Sequence, residues 1–193
     1  DRGAVEKGLE RGLRLYRARG YSLARIEATR FDTTGRLSIT VNEGIISKII
    51  VEGGVRTQDY IVLREFPLEP GDVFEIDKAR RGITNISSTK LFEYVYLEVA
   101  YDGGKPVLTI RLKERPSQLM RFGLRADNER NLQGSIDIRD ENFRGSGMEL
   151  GLNVIGGSRN KEAVLEYRAS RLFDTYLTFN VGVLASSYDT YVY

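Results

Sequence analysis

The stretch NFRGSGMELGLNVIGG, residues 142–157, decides how the second half of the chain is interpreted. After a glycine-rich turn, apolar residues alternate with polar ones: Met148, Leu150, Leu152 and Val154 against Glu149, Gly151 and Asn153. Because successive side chains of a β-strand point to opposite faces, this pattern predicts a strand with one apolar face and one wet face. The fold depends on what each of these faces touches.

Four further segments repeat this alternation, at residues 119–127, 133–140, 163–170 and 175–186, and a sixth strand begins at 190–193. Their polar positions carry full charges, which we expect to face an aqueous lumen: Arg121, Arg125, Asp137, Arg139, Glu149, Glu166 and Arg168. Such groups stay hydrated beside water but are costly to bury unpaired between two sheets. Strands of about ten residues with an outward apolar face are typical of a transmembrane β-barrel. A soluble sandwich, which also alternates, is the weaker alternative.

The first half has a different pattern. Residues 4–19 carry apolar residues at helical spacing, and a hairpin around Asp32–Gly35 follows, with Leu37, Ile39 and Val41 expected to face the helix. Residues 45–116 then read β-α-α-β-β, with Thr57 as the expected cap of the first helix and a tight turn at 102–104. We therefore predict three segments: a partial α-β-β unit at 1–44, a complete unit at 45–116 and barrel strands at 117–193.

The complete unit resembles a POTRA (polypeptide-transport-associated) domain. The matching features are the strand running into Gly53-Gly54, the turn Pro70-Gly71-Asp72 with Phe74, and Leu91-Phe92 followed by Val95. Together with the strands that follow, the chain resembles the outer-membrane assembly and two-partner-secretion superfamily, the bacterial surface-antigen family. The resemblance implies an α+β region followed by an all-β region: POTRA domains, then the first antiparallel strands of a truncated barrel that cannot close on its own.

The resemblance also implies a place and a function. We expect a Gram-negative outer membrane with the POTRA part in the periplasm, and a role in outer-membrane protein assembly or protein transport. An exposed strand edge would bind extended client polypeptide by β-augmentation. The edge implied by the family comprises Phe92, Glu93, Tyr94, Val95, Tyr96, Leu97, Glu98 and Val99, with residues 25–32 as its counterpart in the first unit. The expected partners are outer-membrane lipid and unfolded outer-membrane or secreted polypeptides, and the truncated chain could pair edge to edge as a homo-oligomer.

Composition and the absence of known motifs argue against several kinds of functional site. The chain has 193 residues, no histidine, no cysteine and a net charge of +2, so we expect no nucleic-acid partner. No G-x-S-x-G elbow, P-loop or H-E-x-x-H motif occurs. Asp137, Asp140 and Glu141 are better explained as lumen or turn carboxylates than as a calcium site. The sequence therefore predicts no catalytic residue, no metal and no cofactor in this chain.

One alternative concerns the intact protein. Residues 30–54 and 111–130 are also similar to the C-terminal part of patatin-like outer-membrane phospholipases. In that case a Ser/Asp hydrolase domain would precede Asp1, and this chain would be its membrane anchor. The charged, helical start of the chain predicts a piece of a longer protein, and the sequence upstream of Asp1 distinguishes the two hypotheses.

Overall fold

A computed structural model of the chain describes residues 2–128, 131–171, 175 and 177–189. Its helices and strands follow in this order: α1 Arg2–Ala18, β1 Arg25–Phe31, β2 Leu37–Asn42, β3 Lys48–Glu52, α2 Asp59–Leu63, α3 Ile76–Ser88, β4 Phe92–Asp102, β5 Lys105–Glu114, β6 Gln118–Asp127, β7 Asn131–Phe143, β8 Met148–Gly157, β9 Asn160–Ala169 and β10 Phe179–Tyr188. The predicted strand at 190–193 lies outside the described residues.

The chain divides into two compact units. The first comprises residues 1–53, 62–88 and 94–113, and the second comprises residues 54–61, 89–93 and 114–193. The second unit thus contains the long antiparallel sheet together with two short segments from earlier in the chain.

The α-β-β part of the first unit lies at its N-terminal end. Helix α1 ends at Ala18, and Gly20 has a φ of 98°, a value typical of a residue that closes a helix. Strands β1 and β2 form a two-stranded antiparallel sheet. Ile39 and Val41 line an apolar cavity of about 140 Å³ together with Leu9 and Leu13 of the helix. The prediction that Ile39 and Val41 face the helix is therefore confirmed.

The three-stranded sheet has the order β3-β5-β4, with β3 parallel to β5. Strands β4 and β5 form a hairpin whose turn residues Gly103 and Gly104 both have positive φ, as the sequence predicted. The buried core of this unit is aliphatic and aromatic, and it includes Ile46, Val62, Phe66, Leu68, Phe74, Ala79, Ile86, Leu108, Ile110 and Leu112. Burial of these side chains is the main favourable contribution to folding of this part.

Helix α2 is short, and it begins at Asp59, so Gln58 directly precedes it and Thr57 lies one residue earlier. The Thr57 hydroxyl accepts a hydrogen bond from the Asn142 side chain. Capping of α2 by Thr57 stays a prediction.

The second unit contains a five-stranded antiparallel sheet in the order β10-β9-β8-β7-β6. Neighbours in the sheet are neighbours in sequence, so the strands form a meander. The sheet is not closed: among the described strands, β6 and β10 each pair with one neighbour only. The predicted fold class, a β-α-α-β-β domain followed by unclosed antiparallel strands, is confirmed.

Replacing Gly82 by alanine tests the packing of the first unit. A Cβ at Gly82 in α3 would lie 2.3 Å from a ring carbon of Phe66 and 2.9 Å from Pro67. We expect Gly82→Ala to lower the free energy of unfolding by about 1–3 kcal/mol, measured by denaturant titration.

Gly8 in α1 provides the matched control, since a Cβ there meets nothing within 4 Å. We expect Gly8→Ala to be neutral or to stabilise the protein by about 0.5–1 kcal/mol. Equal effects of the two substitutions would contradict the close packing at Gly82.

Candidate functional site: a two-faced sheet and an open strand edge

One face of the five-stranded sheet carries a connected set of charges. Arg121 on β6 lies 3.4 Å from Asp137 on β7, and Arg139 lies 3.8 Å from the same aspartate. Arg139 also pairs with Glu149 on β8, and Arg168 on β9 lies 3.7 Å from Glu149. Oppositely charged side chains thus follow one another across four strands.

Arg139 is the centre of this network. Its guanidinium reaches across β8 to Glu166 on β9, with an N–O distance of 3.3 Å. Gly151, which pairs with both Arg139 and Glu166 in the strand register, leaves room for this reach. A Cβ at Gly151 would lie 3.4 Å from the guanidinium carbon of Arg139. The side chain of Arg139 is 22% exposed, so its positive charge is stabilised by water and by the carboxylates of Asp137, Glu149 and Glu166.

The seven charged residues predicted from the sequence share this face. The strand register places six of them, all except Arg125, within the ion pairs described above. Arg125 lies four residues beyond Arg121 on β6, on the same face, and pairs in register with Gln133. Whether the face borders an aqueous lumen stays a prediction.

The opposite face is apolar and open. Phe122 is 74% exposed and Leu124 is 85% exposed, whereas a dry protein interior would have covered them. Other large apolar side chains exposed on this face are Met120, Ile136, Ile138, Leu152, Val154, Leu165, Val181 and Val183. A contiguous apolar surface of this kind indicates contact with lipid or with another protein rather than with water.

The candidate client edge lies on β4. This strand has 11 residues and hydrogen-bonds only to β5 among the described strands, so one of its sides is open. Tyr94 and Tyr96 are about half exposed, and their ring centroids are 6.1 Å apart. The predicted edge residues Phe92–Val99 therefore do lie on an edge strand; docking at that edge stays a prediction. The counterpart β1 is likewise paired on one side, with β2.

Arg111 on the central strand β5 forms ion pairs with both neighbouring strands of that sheet. Arg111 on β5 lies 2.6 Å from Glu52 on β3 and 2.6 Å from Glu98 on β4. All three side chains are about half exposed, so each pair adds little free energy alone. Their geometry nevertheless places Glu98, Tyr96 and Arg111 on one accessible face beside the open edge.

Within the second unit, the turn after β7 is held by residues 56–58. We call this set of contacts the clasp. Asn142, which is 4% exposed, donates through its amide to the Thr57 hydroxyl at 2.8 Å. The backbone N–H of Gln58 donates to the carbonyl of Gly145 at 2.9 Å, and the Gln58 side chain donates to the carbonyl of Arg144 at 3.1 Å. Gly145 has a φ of 71°, which residues with a side chain rarely adopt.

Charged groups complete the clasp. Arg56 pairs with Asp140 at 2.5 Å and donates to the Ser117 hydroxyl at 2.9 Å. The Glu114 carboxylate accepts from the backbone N–H groups of Thr57 at 2.5 Å and Arg56 at 3.0 Å. Partial burial opposes ionisation of Glu114, but hydrogen bonds from Thr57, Arg56 and Val55 outweigh it and hold the pKa of this carboxyl below its ordinary value. The clasp therefore keeps its negative charge at neutral pH.

Sequence reasoning missed the clasp. Gly145 and Gly147 were expected only as turn formers, and both do have positive φ. No pattern, however, signalled that the turn touches residues 86 or more positions earlier. The partners Arg56 and Glu114 are ordinary surface residues in the sequence.

No cluster of three or more metal-ligating side chains occurs among the described residues. Asp137 and Asp140, considered above as calcium ligands, are engaged by arginines instead. Within the same residues, no helix is long and apolar enough to cross a bilayer.

Comparison with known proteins agrees with this geometry. The POTRA family model, described as a surface antigen variable number repeat, matches residues 45–115. The chain is 26% identical over 158 residues to the outer membrane protein assembly factor BamA of Neorickettsia risticii, covering 79% of this chain and 21% of that protein. The chain spans about a fifth of the length of the curated relatives it matches.

Solved structures show the same arrangement of elements. BamA from Haemophilus ducreyi lacking POTRA domains 1–3 superposes with a TM-score of 0.68 at 20% identity, over 97% of this chain and 37% of that one. POTRA1–3 of the periplasmic domain of Omp85 from Anabaena gives a TM-score of 0.51 at 26% identity, over 57% of this chain and 50% of that one.

Fold and site together define a POTRA domain followed by an unclosed sheet of five antiparallel strands that matches the barrel region of BamA. The chain is homologous to the BamA/Omp85 outer-membrane protein assembly factors. That homology supports a location in the outer membrane, with the POTRA part in the periplasm. The comparisons do not support the link to patatin-like phospholipases.

Substitution of Gly145 tests the clasp. A Cβ there would lie 1.9 Å from the carbonyl oxygen of Arg56 and would also disfavour the positive φ. We expect Gly145→Ala to break the hydrogen bond from the Gln58 N–H, so that this amide exchanges with deuterium much faster than in the unsubstituted chain.

Gly103 supplies the control, because it too has positive φ but a Cβ there meets nothing within 4 Å. Gly103→Ala should cost about 1–2 kcal/mol in backbone strain and leave exchange at Gln58 unchanged. Retained protection of the Gln58 amide in Gly145→Ala would show that the turn does not depend on the clasp.

Proposed function

We propose that this chain is the POTRA region and first barrel strands of a protein for outer-membrane protein assembly or polypeptide translocation, and that it binds extended client polypeptide by strand addition at β4. The open side of β4 is the observation that carries this proposal. The three predicted segments, 1–44, 45–116 and 117–193, would then be a partial POTRA unit, the client-binding POTRA domain and the membrane-embedded strands.

The length of β4 favours it over the other edge of its sheet. Strand β3, at the opposite edge, has five residues against 11 in β4. A longer edge offers more unpaired N–H and C=O groups to a client strand. Affinity would come from main-chain hydrogen bonds. These do not depend on the client's side chains, so many different unfolded clients could bind.

The sequence of β4 also lacks two of the residue types that commonly block an edge strand, although it carries Glu93, Glu98 and Asp102. Proteins usually block edge strands with lysine, proline or a β-bulge. The strand FEYVYLEVAYD contains neither lysine nor proline. Tyr94 and Tyr96 instead offer aromatic surface beside the edge, which favours contact with the side chains of an added strand.

The two faces of the barrel strands have separate roles in this proposal. The network centred on Arg139 would line the aqueous side, where its partly exposed charges remain hydrated. The face that bears Phe122 and Leu124 would contact the hydrocarbon of the outer membrane. A charged group placed on that second face at bilayer depth is disfavoured, which explains why most charged residues of β6 to β9 lie on the other face.

Among the described strands, β6 and β10 each have one unpaired edge, which supports a second, independent prediction for this chain. Two copies that pair edge to edge would satisfy the main-chain groups of these strands. Light scattering in plain buffer measures this directly, and a strict monomer would contradict it.

Crosslinking at β4 tests the client-binding proposal. The chain has no cysteine, so a single one can be introduced and labelled with benzophenone without background. We expect a label at Tyr96→Cys to crosslink a synthetic ten-residue peptide of alternating apolar and polar residues. The control label at Arg80→Cys, whose native side chain on α3 is 74% exposed, should give little product.

A second variant addresses the main chain itself. Residues 103–104 form a two-residue turn, so we expect Val95, Leu97 and Val99 to present their N–H groups to the open side. Leu97→Pro removes one such donor, and edge strands tolerate proline. Peptide crosslinking should fall several-fold while the circular dichroism spectrum is kept. Equal crosslinking at positions 96 and 80 would refute binding at β4.

A further inference from the structure

Lys161 is exceptional among the residues of the apolar face. It lies near the start of β9 and pairs in register with Gly156 on β8 and Ser187 on β10. Strand alternation places it on the same face as Ala163 and Leu165. On this face, the described residues of β6 to β10 include one other charged side chain, Asp140, which is paired with Arg56.

Among the described residues, no partner contacts the ammonium group of Lys161. The side chain is exposed, and no carboxylate of those residues lies within ion-pair distance of it. A cation on an apolar surface, with no counter-charge from the described residues, is suited to pairing with an anion from outside.

A shallow groove of about 750 Å³ adjoins Lys161. The residues of the apolar face that line it are mostly small: Gly156, Ala163, Ala185 and Ser187, with Val154. The lining also includes Ile155, Gly157, Ser186 and Glu162 at positions of the opposite parity, and the Glu162 carboxylate accepts a hydrogen bond from the Tyr188 hydroxyl at 3.4 Å. The neighbouring positions toward β6 carry Phe122 and Leu124, which are large and protrude. The sheet therefore has a depression beside the lysine that an alkyl chain can fill.

The direction of the strands places this groove near the outer surface of the membrane. Strand β6 follows the periplasmic POTRA domain, so the turn at residues 144–147 returns to the periplasmic side. The β8–β9 turn at residues 158–159 lies at the other end of the strands, and Lys161 is two residues beyond it. At that depth a lysine can extend its charge to the level of the lipid headgroups.

We propose that Lys161 and the adjoining groove form a binding site for a phosphate-bearing, anionic lipid of the outer leaflet. The ammonium group would contact the headgroup phosphate, and one acyl chain would occupy the depression formed by Gly156, Ala163 and Ala185. The site rests on the membrane placement of the strands and is independent of client binding at β4.

A fluorescence titration tests the site. The full chain, held in micelles of a neutral detergent, carries an environment-sensitive dye at Ser187→Cys on the rim of the groove. Phosphatidylglycerol and phosphatidylcholine with identical acyl chains are added separately, and inorganic phosphate is added as a competitor. We expect half-saturation at about fivefold lower concentration for phosphatidylglycerol, the effect of one lysine at an anionic headgroup.

Two variants separate headgroup recognition from acyl-chain binding. Lys161→Gln should remove the preference for phosphatidylglycerol, whereas Lys105→Gln, an exposed lysine of the first unit, should keep it. Ala163→Leu fills the groove and should weaken binding of both lipids several-fold. Circular dichroism checks that every variant keeps its strand content.

Three results would contradict the lipid site. Equal half-saturation for the two lipids in the unsubstituted chain, or an unchanged preference in Lys161→Gln, would overturn the proposal. Displacement of the lipid signal by inorganic phosphate at similar concentration would identify a free-phosphate site instead. Peptide crosslinking at Tyr96 is unaffected by any of these results, so failure here is distinguishable from failure of client binding.

Discussion

An ionised side chain must have water or a counter-charge, and the second sheet meets this requirement by placing all its central charges on one face. The network of Arg121, Asp137, Arg139, Glu149, Glu166 and Arg168 spans four strands and is part-exposed. The other face is then free to be apolar, with Phe122 and Leu124 uncovered. A sheet with these two faces is suited to a boundary between lipid and water, and the homology to outer-membrane assembly factors agrees with that setting.

The three-stranded sheet of the POTRA domain differs from the five-stranded sheet, because it packs against a buried core. Its three-stranded sheet has one core-forming set of side chains, including the fully buried Leu108 and Ile110, and it leaves the long strand β4 unpaired on one side. Core burial stabilises the domain, so that an open edge can be tolerated without unfolding. In the second unit, the clasp orders the turn after β7 through hydrogen bonds: the Glu114 carboxylate accepts from the Thr57 N–H, and the Thr57 hydroxyl accepts from the Asn142 amide.

Strands and their faces could be predicted from sequence because period-two alternation is a local property of the chain. The charged positions, the turn at Gly103-Gly104 and the β-α-α-β-β order all follow from residues close to one another. The contact between Thr57 and Asn142 could not be predicted, because the two residues are 85 positions apart. The reach of Arg139 across Gly151 likewise depends on the register of three strands, which no single segment specifies. Sequence patterns therefore revealed faces and edges but not the contacts that join distant segments.

Spin labels along β8 test the two-faced sheet most directly. Single cysteines at residues 149, 150, 152, 153 and 154 of the cysteine-free chain would be labelled in lipid bilayers, and their collision rates with oxygen and with a water-soluble nickel chelate compared. Our account predicts that labels at 150, 152 and 154 meet oxygen preferentially, because oxygen concentrates in hydrocarbon, while labels at 149 and 153 meet the nickel chelate. Equal accessibility at neighbouring positions, or the reversed pattern, would contradict a sheet that separates lipid from water.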